Sequence, residues 1–223
     1  MSVIRDRLGA VHDRIARACE KAGRGPGDVR LIAVSKKVDA DSIRAAADLG
    51  VTDFGESYIQ EARGKIGALP QGLCWHMIGH VQTNKVKYLP GLFRYVHSVD
   101  RGELLDSLER FGTLIDVLFE MNLSGEPQKH GTNAEGLKRM LERAGSLKHV
   151  RPAGLMTMAP YVEDPEQVRH VFSNLRKILD DVNREFGLQM RELSMGMSSD
   201  FEVAIEEGAT MVRVGTALFG ERT

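Results

Sequence analysis

The chain has 223 residues, of which 42% are hydrophobic and 27% charged, and its formal net charge is −1. That is the composition of an ordinary globular protein, with no overall electrostatic pull toward nucleic acid or an anionic membrane. No apolar run reaches the roughly 20 residues of a membrane span, so neither nucleic acid nor membrane is an expected partner.

A core of this size needs no disulfide staples. Cys19 and Cys74 belong to no CxxC pair and no cysteine–histidine cluster. The start of the chain is charged and amphipathic throughout, without a signal peptide. The expectation is a cytoplasmic protein with reduced thiols.

Apolar positions Val3, Ile4, Leu8, Val11, Ile15 and Ala18 predict an amphipathic helix over residues 2–22. Gly23-Arg24-Gly25-Pro26-Gly27 stops it. This run precedes a strand instead of following one, so it fails the context of a phosphate-binding fingerprint and reads as a loop. Arg30-Leu31-Ile32-Ala33-Val34-Ser35-Lys36-Lys37 then reads as a buried strand that carries an amine out of the core. Asp39 or Asp41 caps the next helix, which runs through Leu49. Further strands are expected at 51–57, 73–79, 93–99, 114–122, 152–158, near 192–195 and at 210–215. Helices alternate with them at 58–67, 83–88, up to Arg110, at 134–145, 165–186 and 200–207, with a polar loop at 124–132. Eight such alternations in this length predict an α/β fold, a single (β/α)8 TIM barrel with an extra N-terminal helix. The alternative is an open doubly wound sheet.

Three features can carry chemistry. The first is the lysine pair at the end of the first strand, the end at which ligands sit in such folds. Burial disfavours the charged form of an amine, and a lysine that sheds its proton can condense with an aldehyde. The bland alternative is two solvated lysines. On a strand, Lys36 and Lys37 face opposite sides, so one of them faces the barrel mouth. The second feature is the turn after the seventh strand, Ser194-Met195-Gly196-Met197-Ser198-Ser199-Asp200-Phe201-Glu202, together with Val214-Gly215-Thr216-Ala217 after the eighth. Ser199 and Glu202 have the spacing of a capping box. Loops after strands seven and eight are the usual phosphate seat of this barrel, and Gly215 lets a ligand approach the backbone. The third is Arg213, on the opposite parity to Val212 and Val214. A guanidinium inside a strand needs a partner, either an acid elsewhere in the barrel or a ligand atom.

Other signals read as structural. His76 and His80 are four apart but lie on a strand and lack the HExxH glutamate, so no metal site is expected. Glu56 and Glu61 read as isolated acids, solvated or salt-bridged, and the ten methionines read as packing.

The segments Ala33-Val34-Ser35-Lys36, Phe54-Gly55-Glu56-Ser57-Tyr58, Trp75-His76-Met77-Ile78-Gly79, Gln82-Thr83-Asn84-Lys85, Gly154-Leu155-Met156, Ser194-Met195-Gly196-Met197-Ser198 and Arg213-Val214-Gly215-Thr216-Ala217 closely resemble the pyridoxal-phosphate homeostasis proteins. The resemblance covers almost the whole chain in order. It implies one alanine-racemase-like barrel domain over residues 1–223, fold type III of the pyridoxal-phosphate proteins. It implies a Schiff base between pyridoxal 5'-phosphate and Lys36, which decides between the two lysines. Ser198, Gly215 and Thr216 resemble phosphate contacts, and Arg213 resembles the group beside the pyridine nitrogen. Ser57 stands where the family often has Asn, so a polar contact near the cofactor is lost or rerouted there. The loop at 125–131 does not align clearly.

The function so implied is intracellular buffering and delivery of the cofactor, with no robust catalysis, and PLP-dependent apo-enzymes as partners of a monomer. An arginine is a poor acceptor for a ring-nitrogen proton, so the ring stays a weak electron sink. The alternatives are a weak amino-acid racemase, which needs a second base such as Tyr58, His76 or Tyr161, and a phosphosugar-type barrel enzyme with no use for the amine.

Overall fold

The computed structural model describes residues 2–124 and 130–221. Helix α1 (Ser2–Lys21) leads into a closed barrel of β1 (Arg30–Val34), β2 (Asp53–Glu56), β3 (Cys74–Met77), β4 (Tyr95–Val99), β5 (Ile115–Glu120), β6 (Val150–Met156), β7 (Glu192–Ser194) and β8 (Met211–Val214). The strands are parallel and follow sequence order around the barrel, with β8 closing on β1 through Ile32 beside Arg213. The helices α2 (Ala40–Asp48), α3 (Ile59–Ile66), α4 (Gly102–Glu109), α5 (Ala134–Ala144), α6 (Arg169–Phe186), α7 (Phe201–Glu206) and the short α8 (Thr216–Phe219) lie between or after the strands. The closed order disposes of the open-sheet alternative. Among the described residues no helix is long and apolar enough to cross a membrane.

Strand alternation makes two different cores. Ala33, Phe54, Met77, Val96, Val117, Phe119, Leu155, Leu193, Val212 and Val214 point outward into the large apolar layer under the helices. The lumen holds a much smaller apolar cluster, Ile32, Leu118, Met156 and Met211. Its remaining space is taken by polar side chains, among them the buried His76, His97, Ser194 and Arg213. Arg213 thus sits on the inward parity that its sequence position predicted.

The differences from the sequence reading lie at element ends. β1 stops at Val34, so the two lysines are beyond the strand. Asp39, not Asp41, caps α2, its carboxylate accepting from the Ser42 amide at 2.8 Å. The segment Thr83–Tyr88 winds as a 3-10 helix, as does Pro165–Val168 ahead of α6. Residues 125–129, within the expected polar loop and the segment that did not align clearly, lie outside the described residues.

Candidate functional site

Beyond β1 the chain turns sharply. The Val38 amide donates to the Ser35 carbonyl at 3.0 Å, and Lys37 takes a φ of 57°. A left-handed conformation costs an L-residue about 1–2 kcal/mol, so something must hold it. The holding group is Lys65 of α3. Its ammonium donates to the carbonyls of Ser35 (2.6 Å) and Val38 (3.4 Å), at the two ends of the turn. It also pairs with Glu56 and Glu61, each at 2.8 Å. Glu61 in turn accepts from the Lys37 amide at 2.5 Å, and the Ser35 hydroxyl donates to Glu56 at 2.5 Å. The strand-parity argument about the lysine pair therefore does not apply. The turn itself separates the two, leaving Lys37 exposed and Lys36 half-buried against a cavity.

Glu56 is correspondingly not a solvated acid. It is fully buried, burial raises its pKa against the opposing pull of Lys65, and its second oxygen has no partner among the described residues.

The cavity has a volume of about 450 Å³ and lies at the C-terminal end of the strands. Lys36, Ser57, Ser198, Arg213, Gly215 and Thr216 all line it. Val34, Ile78, Met158, Met197 and Tyr161 supply an apolar wall, with Tyr161 84% exposed at the rim. A larger cavity of about 560 Å³ opens at the other end, between α1 and the starts of β1 and β2, but no lysine lines it.

Two turns form part of the cavity wall. The turn after β7 is shaped by Gly196, whose φ is 88° and whose added Cβ would fall 2.7 Å from the Ala204 Cβ. The Ser198 hydroxyl accepts from the Ala217 amide at 3.3 Å, tying this turn to the one after β8. Gly215 has a φ of −114°, open to any residue, so glycine's contribution there is the missing side chain in the cavity wall. The first amides of α7 and α8 lack intrahelical acceptors. The expected Ser199–Glu202 capping box does not form. Asp200 precedes α7 and accepts from the Met197 amide at 2.5 Å, while Glu202 is drawn off by Arg14 of α1 at 2.5 and 2.9 Å.

Arg213 is 5% exposed, yet its partners are neutral and not the acid that a buried guanidinium usually finds. It donates to the Ser194 hydroxyl at 2.6 Å and the Thr157 carbonyl at 2.9 Å. Glu120 and Asp200 act on it only at longer range, and burial lowers its pKa to about 10. Burial pushes Glu120 up to about 7, with Asp100 adding to the effect.

His76 and His80 do not share a site. His76 lies in the lumen beside Asp53 and Cys74, whose sulfur is 3.4 Å from His76 Nε2. Cys74 therefore does share a cluster with a histidine, contrary to expectation. His80 lies on the surface beside Asp100 and His130. Sequence reasoning missed the clamp around Lys65, the polar partners of Arg213 and the apolar wall from Met158 and Tyr161. The Glu61–Lys65 spacing of four on a helix was a readable signal for the first of these.

A closed parallel barrel with a half-buried lysine just past β1, and hydroxyl- and amide-lined turns after β7 and β8, defines a class. The family model described as alanine racemase, N-terminal domain, matches residues 7–223. An alanine racemase of Clostridium difficile shares the fold, with a TM-score of 0.74 at 17% identity over 99% of this chain and 57% of that one. Much nearer are proteins named pyridoxal phosphate homeostasis protein. That of Aquifex aeolicus (strain VF5) is 48% identical over 97% of both chains, and that of Pseudomonas aeruginosa is 42% identical over 100% of this chain and 97% of its own. PipY of Synechococcus elongatus PCC7942, solved with PLP bound, is 34% identical with a TM-score of 0.85 over 97% of this chain and 100% of that one. The chain belongs to the pyridoxal phosphate homeostasis protein family.

Proposed function

We propose that this chain holds pyridoxal 5'-phosphate covalently on Lys36 and serves to buffer and deliver it inside the cell. The observation that carries this reading is the convergence of Lys36, Ser57, Ser198, Arg213, Gly215 and Thr216 on one cavity. The donor set fits such a ligand: an amine for an aldehyde, hydroxyls and turn amides for a dianion, and an apolar wall for an aromatic ring. When bound, the cofactor supplies an aldehyde that condenses reversibly with an amine.

The clamp around Lys65 fixes the turn and so aims the Lys36 side chain. Ser198, Gly215 and Thr216 would hold the phosphate, and Ser57 would border the ring. Arg213 would meet the ring nitrogen as a cation with no lone pair to accept a proton from it, which would leave the ring a weak electron sink and supports the absence of robust turnover. Racemisation needs a second base held opposite the lysine. Tyr58 and Tyr161 are exposed, at 53% and 84%, and His76 is engaged by Asp53 and His97, which supports a non-catalytic role. Residues 1–223 act as one binding domain, a cytoplasmic monomer that exchanges cofactor with PLP-dependent apo-enzymes.

The test is the visible absorption of the protein mixed with pyridoxal phosphate. A new band, bleached by borohydride and lost in Lys36→Ala, is expected. Turnover of D- or L-amino acids at ordinary enzymatic rates, about 1–1000 per second, would replace the reading with a racemase.

A further inference from the structure

The lumen contains an unbroken line of hydrogen bonds that the proposed function does not use. It runs from Arg213 in β8 to the Ser194 hydroxyl in β7 (2.6 Å), to His97 Nδ1 in β4 (2.9 Å). From His97 Nε2 it continues to His76 Nδ1 in β3 (2.9 Å), and from His76 Nε2 to Asp53 in β2 (2.9 Å). β4 and β7 are not neighbours in the closed order, so the line crosses the barrel interior. Ser194, His76 and His97 are each fully buried.

The two ends set the direction. Arginine is a donor only, and an ionised aspartate is an acceptor only. Arg213 donates to Ser194, so the Ser194 proton goes to His97 Nδ1. His97 then donates from Nε2 to His76 Nδ1, and His76 donates from Nε2 to Asp53. The Cys74 sulfur also lies 3.4 Å from His76 Nε2, but it is a weaker acceptor than the carboxylate at 2.9 Å, so both imidazoles are neutral with hydrogen on Nε2. The reverse direction needs a cationic His76 and leaves Ser194 accepting twice, with its own hydrogen facing no acceptor among the described residues in a buried site.

We infer that His97, acting through Ser194, is a positioning residue for Arg213, and that it holds the guanidinium in the mouth of the barrel only as the neutral Nε2–H tautomer. This rests on the assignment of Arg213 to the ring nitrogen. The electrostatic surroundings agree. His97 is faced by Arg213, Arg30 and His76, and burial with these groups keeps its pKa well below 6.5. His76 is faced by Asp53, Glu192, Arg30, the Cys74 sulfur and the stacked Tyr95 ring, and burial lowers its pKa as well. A proton on His97 would place a second donor against the Ser194 oxygen and push on Arg213.

Two measurements test this, one of them without cofactor. In the ligand-free protein, 15N NMR of the imidazoles should show Nε2 protonated and Nδ1 bare at both histidines, unchanged from about pH 5.5 to 8.5, the range over which ordinary histidines titrate. An Nδ1–H tautomer at His97, or titration near 6.5, overturns the inference even where cofactor binding is intact. With pyridoxal phosphate bound, Ser194→Ala should shift the visible band and weaken binding about tenfold, the effect of one buried hydrogen bond, with Ser194→Thr restoring both. An unchanged band and affinity in Ser194→Ala also overturns it. A wild-type protein that binds no pyridoxal phosphate sinks the functional reading instead, and the NMR result then stands by itself.

Discussion

The two ends of the barrel use the same residue types to opposite effect. At the N-terminal end, buried Asp116 is bracketed by Arg94 at 2.9 Å and by a bidentate Arg151, and Asp53 is shared between His76 and Arg30. The arginines meet carboxylates, neutral His76 donates to Asp53 as well, and the groups satisfy one another. At the C-terminal end, Arg213 is bonded to neutral atoms and Glu120 acts on it only at a distance, while Glu56, paired with Lys65 through one oxygen, keeps the other without a partner among the described residues. The difference shows where the fold has spent stability on a site. A self-paired charge holds strands together, whereas a charge held by neutral groups keeps its field for something that arrives from outside.

Breaking the clamp gives the largest expected effect. Lys65→Met strands the fully buried Glu56 carboxylate and releases the turn that carries Lys36. The expected loss is about 3–5 kcal/mol in urea unfolding at pH 7, as for other broken buried pairs. Glu56→Gln in the same chain should recover part of it. Covalent capture of pyridoxal phosphate should fall in both.

Glu120 makes the pH dependence of the mouth visible. Its folded pKa, about 7, lies above its ordinary 4.5, so the folded state keeps a proton that the unfolded state has lost. Stability from this group therefore falls as pH rises from about 4.5 to about 7, by about 3 kcal/mol in all. Glu120→Gln should flatten that decline. Unfolding free energies of both proteins at pH 5 and pH 8 check the sign, and a parallel decline in the variant would refute it.

At the other end, Asp116→Asn should cost about 2 kcal/mol, since charge-assisted bonds to two arginines are weakened while both arginines reach solvent. It should leave the affinity for pyridoxal phosphate unchanged. A comparable loss of affinity would erase the contrast between the two ends. Smallest is Asp39→Ala, which removes the cap of α2 at the exposed rim and should lower stability by about 1 kcal/mol.

The barrel was legible because outward-facing strand residues repeat every second position and glycines end the helices. The six residues expected to contact a cofactor line one cavity, although Ser57 and the choice of Lys36 over Lys37 came from the resemblance and not from spacing. What the sequence hid was local competition. Lys36 and Lys37 looked like the end of a strand because nothing in Ser35-Lys36-Lys37-Val38 announces a left-handed residue. That conformation is imposed by Lys65, thirty residues away from Ser35. Ser199 and Glu202 had the right spacing for a cap, but Arg14 captures the glutamate from another helix. Glu56 looked isolated because its partners come from the turn after β1 and from α3. Each miss is a contact between distant segments, which spacing along one segment cannot reveal.

The central claim is a covalent bond at one nitrogen. Incubation of the protein with pyridoxal phosphate, borohydride reduction and mass mapping of the peptides tests it most directly. The account predicts a single phosphopyridoxyl group on Lys36, with Lys37 and Lys65 unmodified. A label on Lys37, or one scattered over surface lysines, would contradict it.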